Sequence, residues 1–261
     1  MILEEFDNDK DAILNPAHFM ESQIIANGLK GKMPKVGVSC FERNGFNRIL
    51  ELLDCKEIAV SKNANGDFQI YVANYKGKEI ALFLMDVGAA GAGGQLEEVY
   101  ALGVETVIVF GSCGVLDRSI EDCEIIIPNS AVRDEGLSYH YVPASDEIAV
   151  NLKYIPEFTA ILDEVKVGYR IGKTWTTDAI YRETRAKMER RKEMGCICVE
   201  MECSAMAAVA QFREKEFFQF LYAADNLDAK EWDKRSLGDD VKFEEKDMFA
   251  QLALELAVRI S

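Results

Sequence analysis

The chain has 261 residues, with 45 acidic against 30 basic side chains and a formal net charge of −15. A field of that sign repels phosphate backbones and anionic membrane surfaces, which argues against nucleic acid and membranes as partners. A small anion can still be held at short range by backbone N–H groups or a single arginine. With 49% hydrophobic and 29% charged residues, there is material for a sizeable core and a solvated surface, and the length suits one domain spanning residues 1–261.

Residues 1–14 (MILEEFDNDKDAIL) are acidic where a secretory signal needs a basic start and an apolar run. The apolar run at residues 106–110 is strand-length, far short of the roughly 18 residues that cross a bilayer. A soluble, cytoplasmic protein is expected. Cys40, Cys55, Cys113, Cys123, Cys196, Cys198 and Cys203 are odd in number and lack the paired spacing of a disulfide framework. They read as reduced thiols. Only two histidines exist to complete a zinc site, so no metal is expected.

In chain order, residues 35–40 (KVGVSC) predict a first strand and residues 47–53 (NRILELL) a helix. Residues 68–73 and 79–85 alternate in polarity around a turn at 74–78 (NYKGK), the pattern of a β-hairpin. Residues 88–94 (GAAGAGG) read as a glycine-rich loop entering a helix at 95–102. The run TVIVF at 106–110 marks a strand buried on both faces that ends at Gly111-Ser112-Cys113-Gly114. Further strands are expected at 124–127, 165–171, 197–201 and 217–224, and helices at 182–193, 204–213 and 242–258. That alternation predicts an α/β fold with helices covering a mainly parallel or mixed sheet.

Ligands of open α/β sheets gather at the carboxyl ends of strands, which selects residues 88–94, 111–114, 199–204 and 223–227. The glycines allow close backbone approach to an anion and Ser112 adds a hydroxyl, although the same glycines also read as turn punctuation. Residues 88–94 match neither a Walker loop nor a dinucleotide fingerprint, so nucleoside triphosphates and nicotinamide dinucleotides are not expected. Glu200 and Glu202 bracket Met201 at the end of an apolar strand. Buried there, they need donors, and sugar hydroxyls are suitable; alternatively one faces solvent while the other caps the next helix near Ser204. Asp225 ends another apolar strand and reads either as a general acid, its pKa raised by burial, or as a loop aspartate turning onto Leu227. His18 and His140 are far apart and no serine sits in a nucleophile elbow, which argues against a Ser-His-Asp hydrolase.

Together these pieces resemble the nucleoside phosphorylase superfamily that holds purine nucleoside phosphorylase, uridine phosphorylase and methylthioadenosine nucleosidase. The features that carry it are Val87-Gly88, Phe110-Gly111-Ser112-Cys113-Gly114, Val199-Glu200-Met201-Glu202 before a small-residue helix, and Asp225-Asn226. Residues 176–184 (TTDAIYRET) and 133–136 (RDEG) are also similar to segments of its members. The resemblance implies a three-layer α/β/α fold with a central mixed sheet and no organic cofactor, inorganic phosphate being a co-substrate. It implies phosphate at Gly88, Gly111 and Ser112, ribose at Glu200, Met201 and Glu202, and base at Ile180 and Tyr181. Asp225, 24 residues after Met201, matches the acid of the purine branch that protonates or hydrogen-bonds N7 of the leaving base. Homodimers or dimer-based hexamers are implied, with His18 reaching the 5′-hydroxyl in the adjacent subunit.

Two departures stand out. Val109 occupies the position of a phosphate-binding arginine, and residues 35–47 (KVGVSCFERNGFN) replace the family's Gly-Asp-Pro loop. Arg43 or Arg48 is the candidate replacement cation, and Arg235 is offset from the arginine that follows the purine-branch aspartate. A hydrolytic nucleosidase, with Glu42 activating water, is therefore the alternative; a non-catalytic nucleoside-binding protein is a third reading, against which Glu202 and Asp225 argue.

Overall fold

The computed structural model describes residues 1–64, 66–150, 152–238 and 241–261. Its first half runs α1 (Pro16–Ala26), β1 (Val36–Cys40), α2 (Arg43–Leu52), β2 (Cys55–Asn63), β3 (Gly66–Tyr75), β4 (Lys78–Leu84), α3 (Ala89–Leu102) and β5 (Thr106–Val115). Then follow β6 (Ile125–Asp134), α4 (Ser138–Tyr141), β7 (Glu147–Ala149), α5 (Ile155–Val165) and β8 (Tyr169–Thr177). The chain finishes with α6 (Arg185–Glu193), β9 (Cys196–Glu200), α7 (Cys203–Phe212), β10 (Glu216–Asn226) and α8 (Phe243–Ile260).

The strands form one mixed sheet in the order β10-β6-β8-β9-β5-β1-β4-β3-β2, with β7 on β6. Because β10 also pairs with β5, the first five strands close into a ring and β1 to β4 extend from it as an open sheet. Helices cover both faces. On one, α2, α5 and α8 bury Phe46, Phe158 and Phe249 against Phe218, Phe220 and Tyr222 of β10, with Tyr222 and Phe249 stacked at 4.7 Å. On the other, α1, α3 and α7 bury Met20, Leu96, Val99 and Met206 against Val107 and Val109. The three-layer mixed α/β architecture follows from continuous apolar strands with an amphipathic or small-residue helix on either side.

Several boundaries differ from the sequence pattern. Residues 88–94 are no loop: Gly88, at φ 92, is the N-cap and α3 begins at Ala89. Glycine disfavours helix, yet a Cβ on Gly93 would run into the Leu137 side chain, so close packing overrides propensity here. Likewise β5 does not stop at Phe110 but continues through Gly111-Ser112-Cys113-Gly114 to Val115. Val165 closes α5 rather than opening a strand, and Lys166 ends that helix in the left-handed region at φ 58. Arg182 lies in a separate 3-10 turn, Ile180–Arg182; α6 starts at Arg185, capped by Thr184, whose hydroxyl accepts from the Lys187 N–H at 3.3 Å. The sequence pattern did not reveal α1, β2, α4, β7 or α5.

Candidate active site

Two adjoining cavities open where the carboxyl ends of β5, β9 and β10 meet, one of about 620 Å³ and one of about 320 Å³. Phe41, Val87, Ser112 and Leu237 line both. Ser112 is the one exposed residue in an otherwise buried strand, so its hydroxyl faces this shared space. The larger cavity gathers Ile180, Tyr181, Glu200, Met201, Glu202 and Asp225, drawn from three separate segments of the sequence.

Glu200 and Glu202 are both buried, which rules out a solvent-facing member of the pair. Glu200 accepts from the Thr176 hydroxyl at 2.6 Å, the Thr174 hydroxyl at 3.4 Å, and the N–H groups of Glu202 and Cys203 at 2.8 and 2.7 Å. It thereby caps the first turn of α7 and fixes the chain around Met201; it is a buttress rather than an open acceptor. Glu202 accepts only from the Gly88 N–H at 2.6 Å and, on its other oxygen, from the Met201 N–H at 3.2 Å. Each oxygen keeps acceptor capacity toward the cavity. Burial raises the pKa of both, in Glu200 against the opposing pull of its four donors, and Glu202 is raised further by its closeness to the Glu200 charge.

Asp225 sits opposite Gly114 across β10 and β5, immediately after a bulge between Ala223 and Asp225. The bulge re-aims the side chain from the sheet into the cavity. A Cβ on Gly114 would lie 2.5 Å from Leu227 Cδ1 and 3.0 Å from Asp225 Oδ1, so glycine is what lets the acid lie over this strand. The turn onto residue 227 is not made by Asp225; it is Asn226 that accepts from the Asp228 N–H at 2.9 Å. Instead Asp225 Oδ2 accepts from the Trp232 indole N–H at 2.7 Å. Burial raises the Asp225 pKa, against the opposing pull of Trp232 and Arg235. Glu183, also on the cavity wall, is pushed up to about 7, first by burial and then by the Asp225 charge.

The anion corner is built differently from expectation. Gly88 spends its N–H on Glu202. Gly111 lines the smaller cavity, but the Phe41 ring lies so close that a Cβ there would meet Phe41 Cδ2 at 2.6 Å. Val109 is fully buried. Arg43 is exposed and lines neither cavity; Arg48 lines neither, being paired with Asp247 at 2.8 Å and placed over the Phe243 ring. The structure does not bring either arginine to Ser112, because α2 turns them towards solvent and towards α8. The cation that lines the smaller cavity with Gly111 and Ser112 is Lys246 of α8, 7% exposed and paired with Glu42 at 3.3 Å. Sequence alone gave no hint of Lys246, which lies in an amphipathic helix that reads as ordinary core cover.

His18 is exposed on α1, where its Nδ1 accepts from the Asn15 N–H at 3.4 Å, and it lines neither cavity of its own chain. Arg235 donates to the Ile120 carbonyl at 2.9 Å and stays outside both walls. Glu183, Arg185 and Trp232 line the larger cavity without having been singled out. The available signal was Trp232 itself, one of only two tryptophans, placed in a polar loop. Among the described residues, no group of three His, Cys, Asp or Glu is placed to hold a metal, and no helix is long and apolar enough to cross a membrane.

A family model described as the phosphorylase superfamily matches residues 35–260. The chain is 22% identical over 182 residues to a guanosine phosphorylase of Halorubrum lacusprofundi, covering 70% of this chain and 74% of that one. It is 25% identical over 211 residues to a DeoD-type purine nucleoside phosphorylase of Shewanella oneidensis, covering 80% and 86%. Uridine phosphorylase of Vibrio fischeri superposes with a TM-score of 0.74 at 22% identity, over 88% of this chain and 94% of that one, which is a likeness of fold. With its matched span running from β1 to the end of α8, this chain belongs to the phosphorylase superfamily.

Proposed function

We propose that the chain cleaves the N-glycosidic bond of a purine nucleoside and transfers the ribosyl group to inorganic phosphate, giving free base and ribose 1-phosphate. The observation that carries this is the convergence of Asp225 and Glu202 on one cavity of about 620 Å³. As the C–N bond breaks, its electron pair leaves with the base and the ribose takes on oxocarbenium character. Asp225, whose pKa burial raises, gives its proton to the departing base. Glu202, whose pKa is raised by burial and by Glu200, becomes a carboxylate once the 2′ and 3′ hydroxyls donate to it, and in that form its negative charge favours the positive ribose. Met201 and the Glu200 buttress hold Glu202 in place. Ile180 and Tyr181 border the base. A purine fits this acid because it offers N7 as a proton acceptor, which a pyrimidine lacks; the guanosine and purine nucleoside phosphorylase names of two relatives support the same choice.

For phosphate, Ser112 and Gly111 with Lys246 supply a hydroxyl, close backbone and one cation. Water as acceptor is the second reading, favoured by the Phe41 ring against Gly111 and by Arg43 and Arg48 lying outside both cavities. Glu42, which lines the smaller cavity, would then activate the water. Release of base from inosine, adenosine, uridine and methylthioadenosine, with and without phosphate, decides between them. Phosphate-dependent release with ribose 1-phosphate supports the proposal; phosphate-independent release with free ribose supports hydrolysis; no release from any nucleoside contradicts both and leaves a binding protein.

A homodimer or dimer-based hexamer accords with the family and gives the exposed His18 a role at a neighbour's 5′-hydroxyl. Light scattering would report it. All seven cysteines are free, which accords with work in a reducing cytoplasm.

A further inference from the structure

Trp232 is a cavity residue for which the cleavage chemistry above has no use. The loop that carries it leaves β10 and is pinned at several points. Asn226 and Asp233 exchange backbone hydrogen bonds of 2.8 and 3.2 Å. Arg185 donates to the carbonyls of Leu227, Ala229 and Lys230 at 2.9, 2.9 and 3.3 Å. Asp228 is held by Arg118 at 3.0 Å and Lys192 at 2.7 Å, which keeps its carboxyl well below the usual range. A loop fixed this firmly nonetheless leaves Trp232 59% exposed at the cavity, whereas Trp175, the other tryptophan, is fully buried. A large apolar ring left open on a rigid support is a binding surface waiting for a flat partner.

The same ring is bonded to the acid. An indole N–H is a donor only, and a carbonyl-type oxygen accepts better than a hydroxyl oxygen, so the bond at 2.7 Å favours an unprotonated Asp225 Oδ2. In the neutral acid the proton therefore sits on Oδ1, and after transfer to the base Oδ2 accepts from the same N–H as part of a carboxylate, a stronger bond. The indole thus favours the donated state of the acid over the loaded one.

We propose that Trp232 is both the platform on which the leaving purine stacks and the positioning residue that fixes the Asp225 proton on Oδ1. This rests on the chain being a purine nucleoside-cleaving enzyme. The proton passes from Oδ1 to the base nitrogen, the C–N electron pair goes with the base, and Asp225 is left ionised with its indole bond kept. The other charged groups acting on Asp225 are Arg235, Asp233 and Glu183, none of which is altered by changing Trp232.

The test uses Trp232→Phe, which keeps a ring without the N–H, and Trp232→Ala, which removes both. In Trp232→Phe the alkaline limb of the kcat profile on inosine moves up by about one pH unit, because a donor that favoured the carboxylate is gone. Trp232→Ala adds a rise in nucleoside KM of roughly tenfold, the loss of one base–aromatic stack. Titration with hypoxanthine saturably changes the tryptophan emission of the wild type and of Asp225→Asn, but not of Trp232→Phe, since Trp175 is sealed in the core. An unmoved limb in Trp232→Phe, or hypoxanthine bound without a change in emission, overturns the proposal. If the wild type cleaves no nucleoside, the enzymatic reading fails by itself, and the emission titration still decides the platform: a saturable change upholds it and none refutes it.

Discussion

The two adjoining cavities are made by different means. In the larger one the acids are fixed by the sheet: a bulge in β10 aims Asp225, and a four-donor buttress on Glu200 sets the turn that presents Glu202. In the smaller one the polar character depends on side chains reaching in from helices and a loop, Lys246 of α8 against Glu42, with Phe41 packed over Gly111. On the proposed function, bond cleavage thus depends on the strands, while the choice of acceptor hangs on a few exchangeable side chains. The two should be separable by substitution.

The largest effect is expected at the acid. Asp225→Asn keeps the shape and the indole bond but cannot donate the proton, and kcat on a purine nucleoside falls by about 10² to 10⁴, read by steady-state kinetics. Glu202→Gln replaces a charged acceptor with a neutral one and lowers kcat/KM by roughly 10- to 100-fold, corresponding to about 1.5–3 kcal/mol. Lys246→Met raises the phosphate KM about tenfold and leaves the nucleoside KM unchanged; equal changes in both would dissolve the distinction between the cavities.

The smallest effect concerns stability. Glu183 is raised from 4.5 to about 7, chiefly by burial, so the fold favours its protonated form. Its contribution is fully present below about 4.5 and is lost as pH rises through about 7. The melting temperature should fall by a few degrees over that window, and Glu183→Gln should flatten this part of the slope, as read by calorimetry across pH. A slope unchanged in the variant would assign the titration elsewhere.

Much of the frame was legible because its signals are local. The hairpin of β3 and β4 follows from alternation around residues 74–78, and the start of β5 from an unbroken apolar run. What escaped depends on distant partners. Residues 89–94 fold into α3 because Leu137 and α7 press on them, and residues 111–114 stay in β5 because β10 pairs with them, with Gly111 and Gly114 leaving room for Phe41 and Leu227. Closure of the ring through β10 and β5 leaves no mark in either strand. At the site, Glu202 and Asp225 could be placed by their position at strand ends. Arg48 could not, since its partner Asp247 lies 199 residues away in α8, and Trp232 reaches Asp225 only through a loop without periodicity.

The central claim, that Asp225 protonates the leaving purine, is tested most directly by comparing wild type and Asp225→Asn on inosine and on 7-methylinosine. The methylated base is already cationic and departs without a proton. The account predicts that the substitution costs about 10² to 10⁴ on inosine and less than about tenfold on 7-methylinosine. Equal losses on the two substrates would contradict it.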